Sequence, residues 1–188
     1  RSIKGKGRWL PTGSISLATM TRKVRHIISD EYYIDIDCVN CHPTLMMHLA
    51  ASVNIKVPLI NEYVKDREKV FKIVMDDLGI DKEEAKILIL KVMNGGDYCD
   101  TRYKKCEWMT NFYMEMNEVA SFFSKRDPEA WEKHEKNRRL KDKYEAADGG
   151  SFVNFKLLEM EVEITEICVG ILKKHKLLGP HDQDLVKC

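Results

Sequence analysis

With 188 residues, 44% hydrophobic and 32% charged, the chain carries enough apolar material for one globular domain with a real core. Thirty-one Lys and Arg against 30 Asp and Glu leave a net charge of +1, so global charge says nothing about a nucleic-acid partner and any basic surface has to be local. No run approaches 18 apolar residues, which excludes a membrane-spanning helix, and six dispersed cysteines make no disulfide scaffold but read as reduced thiols of an intracellular protein.

Residues 1–16 are rich in Gly, Lys and Ser and read as loop, with room for a short strand at Arg8-Trp9-Leu10. The basic start, Arg1 to Arg8, is followed by no apolar segment, so it is no signal peptide. The missing initiator Met leads us to expect a chain that begins inside a longer protein. Thr21-Arg22-Lys23-Val24-Arg25-His26 is a compact basic patch. Tyr32 to Val39 is the strongest strand candidate, aromatic and β-branched with a period of two. It runs into His42-Pro43, where Pro suits a first helical turn, and a helix is expected over 44–53.

Helical spacing continues over 61–78, which stops at Gly79. Asp81-Lys82-Glu83-Glu84 resembles a capping box and opens a helix that ends at Asn94-Gly95-Gly96. Further helices are expected at about 103–125, 128–146 and 152–176, before Gly179-Pro180 breaks the pattern. Leu185 to Cys188 reads as a strand just starting. The order predicts a predominantly helical α+β fold, in one domain, with a small antiparallel sheet assembled from distant segments.

On a strand, Asp35 and Asp37 point to one face, and Ile34, Ile36 and Cys38 to the other. Two carboxylates this close repel each other, and a bound cation removes that cost; hard oxygen ligands suit Mg²⁺. The same pattern fits an edge strand with a solvated acidic face. Cys38-Val39-Asn40-Cys41-His42 matches the c-type haem attachment pattern and half of a zinc site. No export signal supports haem, and Cys99 and Cys106 are loosely spaced as a second zinc pair. The expectation is two thiols packed near the Asp strand.

Lys82, Lys86 and Asn94 fall within an arc of roughly 120° on one helix. Ala85, Leu88, Ile89 and Val92 lie on the opposite face and would pack on the core. A row of cations ending in a small-residue turn can grip a polyphosphate with a flat base beyond it. It is also an ordinary amphipathic helix with solvated lysines and a glycine stop.

Taken together, the two features resemble motifs A and B of family A DNA polymerases and of phage-type single-subunit RNA polymerases. Motif A would cover about 31–53 and the fingers-like motif B helix about 81–96, with a palm-side helix at about 152–176. The form Asp-Ile-Asp-x-Val-Asn-x-His-Pro, with Gly7-Arg8-Trp9, Ser16-Leu17 and Arg22 to His26 upstream, is most similar to the transposon–virus polymerase branch. Its members occur in virophages, giant viruses and mobile elements, often fused to a helicase. Asn94 stands where the larger family has Tyr, and Leu90 where DNA polymerases usually have Phe. Sugar discrimination is therefore left open. Motif C is not evident; Asp182, in a His-Asp pair after Gly-Pro, sits in turn chemistry. Residues 185–188 read as the start of the motif C strand, cut before its aspartate.

The resemblance implies a DNA-directed DNA polymerase acting by two-metal nucleotidyl transfer on a DNA primer–template with nucleoside triphosphates. It implies two Mg²⁺ ions on Asp37 and Asp35, and Lys86, supported by Lys82, on the triphosphate. Asn94, Gly95 and His42 would line the nucleotide, and Arg22, Lys23 and Arg25 would hold nucleic-acid backbone. A fused or associated helicase is an expected partner, and these residues alone are expected to be inactive. Competing expectations are a non-catalytic helical nucleic-acid-binding or scaffolding module, and a primase-like part of a replicative helicase protein.

Overall fold

The computed structural model describes residues 20–31, 38–96, 104–139 and 149–177. Among these the regular structure is helical: α1 (Arg22–Ser29), α2 (Cys41–Ser52), α3 (Pro58–Lys65), α4 (Arg67–Leu78), α5 (Lys82–Met93), α6 (Glu107–Arg126), α7 (Pro128–Arg139) and α8 (Gly149–Lys174). The expected α+β fold with a small antiparallel sheet is thereby corrected, because no described segment forms a strand. Tyr32–Asp37, most of the expected strand, lies outside the described residues, as do 8–10 and 185–188. What is described of that run, Cys38 to Asn40, is turn leading into α2. A period-two run makes a sheet only with a pairing partner, and the described residues supply none.

The chain divides into two compact units, one of His42–Leu157 and one of Arg1–Cys41 with Leu158–Cys188. In the larger unit α6 packs against α3, α4, α5 and α7. Its 20 residues bury Trp108, Met109, Phe112, Met116, Val119, Ala120 and Phe123, a stripe at the three-and-four spacing of one helical face. Trp108 and Phe112 stack at 4.8 Å between ring centroids, and the Trp108 indole N–H donates to Glu62 of α3 at 3.0 Å.

The run 61–78 is two helices rather than one. Asp66 closes α3 and opens α4 with φ −146°, and its carboxylate accepts the Lys69 amide at 3.0 Å. An Asp that can cap is favoured at a helix start over a helix interior, so the break has a local cause. α4 then ends at Gly79 in the left-handed conformation, φ 65°.

α3 begins at Pro58 with no side-chain cap of its own. Glu115 of α6 supplies one: its two carboxylate oxygens accept the Leu59 and Ile60 amides, each at 3.0 Å. Free N–H groups and the positive end of the helix dipole are satisfied by one carboxylate from another helix. Burial holds the Glu115 pKa above the ordinary value of 4.5, although both amides pull it down.

At the other end of α6, Asp127 accepts the Ala130 amide at 3.0 Å and the Lys156 ammonium at 2.8 Å, tying the start of α7 to α8. Lys156 foremost, then Ala130, lowers the Asp127 pKa. His134 of α7 is buried, its Nε2 3.0 Å from the Ser151 hydroxyl and its ring 5.8 Å from Phe152.

In the smaller unit, the basic patch 21–26 forms most of a short helix that its composition did not announce. Ser29 closes α1 by donating to the Arg25 carbonyl at 2.7 Å, while Val24, Ile27 and Ile28 are exposed. Among the described residues no helix is long and apolar enough to cross a membrane.

Glu115→Ala should lower the free energy of unfolding by about 1.5–3 kcal/mol in urea titrations, the worth of hydrogen bonds to a charged group. Glu115→Gln keeps an acceptor and discards the charge. Because the folded pKa is raised above 4.5, the Glu115 contribution falls as pH climbs from there through the folded pKa, and then stays low. The Gln variant should therefore gain on the wild type over that interval, and a pH-independent difference would refute the buried charge.

Candidate functional site

α5 carries the residues that motif B spacing singles out. Its start is the capping box that the sequence suggests: Asp81 accepts the Glu84 amide at 2.8 Å, and Glu84 accepts the Asp81 amide at 3.3 Å. Ala85, Leu88, Ile89 and Val92 are buried as the spacing predicts, together with Met93. Lys82 and Lys86 stand on the exposed side.

The two lysines differ in their commitments. The Lys82 ammonium lies 2.6 Å from Glu68 of α4 and 5.6 Å from the Phe71 ring centre. Lys86 has a loose contact, 3.8 Å to Glu83 on its own helix. An exposed pair of that length costs little to break, so Lys86 is the more easily redirected charge.

Helix α5 closes through three amide bonds: Asn94 to the Leu90 carbonyl at 3.0 Å, Gly95 to Val92 at 3.1 Å, and Gly96 to Lys91 at 2.8 Å. Gly95 takes φ 80°, and its backbone lies against Gly150 at the start of α8. A Cβ on Gly95 would stand 2.5 Å from the Gly150 Cα, and one on Gly150 would strike the Gly95 Cα. Both positions need glycine because two backbones touch there.

Beside this contact is a cavity of about 430 Å³, within the range of small-molecule sites. Met46 of α2, Met93 of α5 and Val153 of α8 form apolar walls, and Gly95, Gly96 and Gly150 border it. α6 contributes Tyr113, Asn117, Ser121 and Ser124, spaced four, four and three and hence on one helix face. None of the described lining residues carries a charge.

The other expected site residues are distributed as follows. Asn94 is exposed and His42 half-buried in the first turn of α2; both, with Lys82, Lys86 and Gly95, belong to the larger unit. Lys23 is exposed and Arg25 half-buried in α1, which Arg22 opens, in the smaller unit. Asp35, Asp37 and Asp182 lie outside the described residues, and the magnesium expectation lies there with them. Cys38 is exposed, which corrects the reading of two packed thiols; Cys41 is half-buried. Among the described residues no three His, Cys, Asp or Glu side chains cluster as a metal group would.

Sequence reasoning missed Gly150 and the polar face of α6. The signal was present: Tyr113, Asn117 and Ser121 recur every four residues along α6, and Gly149-Gly150 falls at the joint between two helical patterns.

No family model matches the chain, and no solved structure matches it. The chain is 30% identical over 149 residues, 75% of its length, to a Sputnik virophage protein named "Putative helicase V13". It spans about a fifth, 19%, of that relative.

Among the described residues, the positive-φ glycines Gly79 and Gly95 should separate conformational strain from backbone contact. Gly79, at φ 65°, has nothing within 4 Å of an added Cβ, so Gly79→Ala should cost only the left-handed penalty of about 1–2 kcal/mol. Gly95→Ala adds overpacking against Gly150 and should cost about 2–5 kcal/mol in all. Equal losses in denaturant unfolding would contradict the close approach at Gly95.

Proposed function

We propose that this chain is the nucleotide-handling part of a viral or mobile-element DNA polymerase, a nucleotidyltransferase of the transposon–virus branch. The observation that carries the reading is the architecture of α5: an exposed, weakly engaged Lys86 on a helix that ends in a glycine turn beside an uncharged cavity. The virophage relative supports the setting, since members of that branch occur in virophages and are often joined to a helicase.

In this reading Lys86 neutralises charge on the triphosphate of an incoming nucleotide, for which phosphoryl transfer asks mainly positioning and charge stabilisation. Lys82 holds Lys86's side of the helix by anchoring to Glu68. Arg22, Lys23 and Arg25 take the DNA backbone of the primer–template. The donor set of Asp35 and Asp37, two carboxylates on alternate residues, fits Mg²⁺, and these residues would hold it. Held there, such ions would supply charge stabilisation for the attacking 3′-hydroxyl oxygen and the departing pyrophosphate.

A second reading draws on the relative's name: a helical part of a helicase protein, primase-like or purely nucleic-acid-binding. The P-loop pattern G-x-x-x-x-G-K-[ST] does not occur in the 188 residues, so in that reading this segment serves a helicase without carrying such a phosphate loop.

Paired substitutions in the protein from its complete gene distinguish the two. Lys86→Ala should weaken nucleotide use roughly 10- to 150-fold, the loss of one charge-assisted contact of about 1.5–3 kcal/mol, with primer–template affinity nearly unchanged. Arg25→Ala should weaken primer–template binding and reduce its salt dependence, with near-normal turnover at saturating DNA. Steady-state kinetics in which Lys86→Ala is silent for nucleotide would remove the polymerase reading and leave the helicase-associated module.

A further inference from the structure

The cavity beside the Gly95–Gly150 contact differs chemically from the lysine face of the same helix. Lys82 and Lys86 sit on the first two turns of α5, whereas the cavity lies at its last turn and the glycines beyond it. At 1.5 Å per residue, Lys86 and Gly95 are separated by about 13 Å along the axis. The carboxyl end of a helix carries roughly half a negative charge, and no described lining residue offers a cation to offset it. A phosphate is disfavoured there on both counts.

What the cavity offers is one phenol ring, one carboxamide and two serine hydroxyls, against walls of methionine, valine and alanine. Tyr113 and Asn117 lie one turn apart on α6, and both line the cavity. Ser124 already donates to the Ser121 carbonyl at 3.1 Å, which leaves its oxygen as an acceptor. Glycine at positions 95 and 96 leaves that border without side chains. Such a surface suits a flat, uncharged heterocycle bearing donors and acceptors on its edge, because every base has a π-face and an amide can pair with its rim.

We infer that Tyr113 and Asn117 of α6 form a base-reading face: Tyr113 stacks on the nucleobase of the bound nucleoside triphosphate, and Asn117 meets its polar edge. The inference rests on the nucleotide reading above and adds a specificity determinant on a helix outside motifs A and B. Asn94 is then the exposed cap of α5, and the aromatic surface is delivered from α6.

Calorimetric titration of the 188-residue chain with dATP, dTTP and inorganic tripolyphosphate, each with Mg²⁺, separates the two claims. Tyr113→Leu should weaken dATP roughly 5- to 150-fold, the range of base–aromatic stacking, without changing tripolyphosphate, and Tyr113→Phe should restore it. Asn117 is exposed, so Asn117→Ala should keep the fold and change the dATP to dTTP affinity ratio. Lys86→Ala should weaken all three ligands. If Tyr113→Leu and Asn117→Ala leave dATP and dTTP unaffected while Lys86→Ala weakens them, the base-reading face is overturned and the nucleotide reading survives. If Tyr113→Leu weakens tripolyphosphate as much as dATP, Tyr113 is structural and the inference also fails. Absence of binding by the wild-type chain to all three ligands would overturn both.

Discussion

The larger unit depends on one constraint: α6 must satisfy different partners on each of its faces. Its apolar stripe, from Trp108 to Phe123, is buried among neighbouring helices. Burying a side chain such as Phe112 is worth about 1.5–3 kcal/mol, and six of the seven residues in the stripe carry side chains of valine size or larger, Ala120 being the exception. On a second face Glu115 holds the start of α3 by two amides, a charge-assisted tie that fixes where a helix begins rather than only that it packs. The third face, Tyr113 to Ser124, stays polar and borders the cavity. A rotation of α6 by one residue would turn every face about 100° and break all three at once.

That economy explains why glycine stands at both positions where the end of α5 meets the start of α8. The end of α5 and the start of α8 bring their backbones into contact at Gly95 and Gly150, and side chains there would push the two apart. The polar wall and the glycine border are consequences of the same packing. Lys86 stands apart from it, on the solvent side of α5, where its charge costs little to hold and little to move.

Local signals in the sequence were legible wherever one element carried its own explanation. The capping box at Asp81 and Glu84, the glycine stop at Gly79 and the buried face of α5 all follow from spacing and appear as expected. The single helix over 61–78 was misread because periodicity runs through Asp66, and only the capping role of that carboxylate marks the break. The expected sheet had no comparable support: one alternating run at 32–39 cannot state what pairs with it. Glu115 was invisible as a cap for a related reason, since its partners Leu59 and Ile60 are 56 and 55 positions away. The glycines of the candidate site were readable at the end of one helix, but the cavity wall beside them comes largely from α6 and α8, which only packing brings near.

The most direct measurement is template-directed incorporation of deoxynucleotides by the protein expressed from its complete gene, with and without Asp37→Asn. That substitution keeps the side chain's size and removes the carboxylate that magnesium needs. A nucleotidyltransferase organised as proposed extends a primer in a magnesium-dependent manner and loses that activity in the variant. Extension that persists in Asp37→Asn, or an intact protein that binds primer–template yet never extends it, would contradict the assignment and favour a helical module serving a helicase.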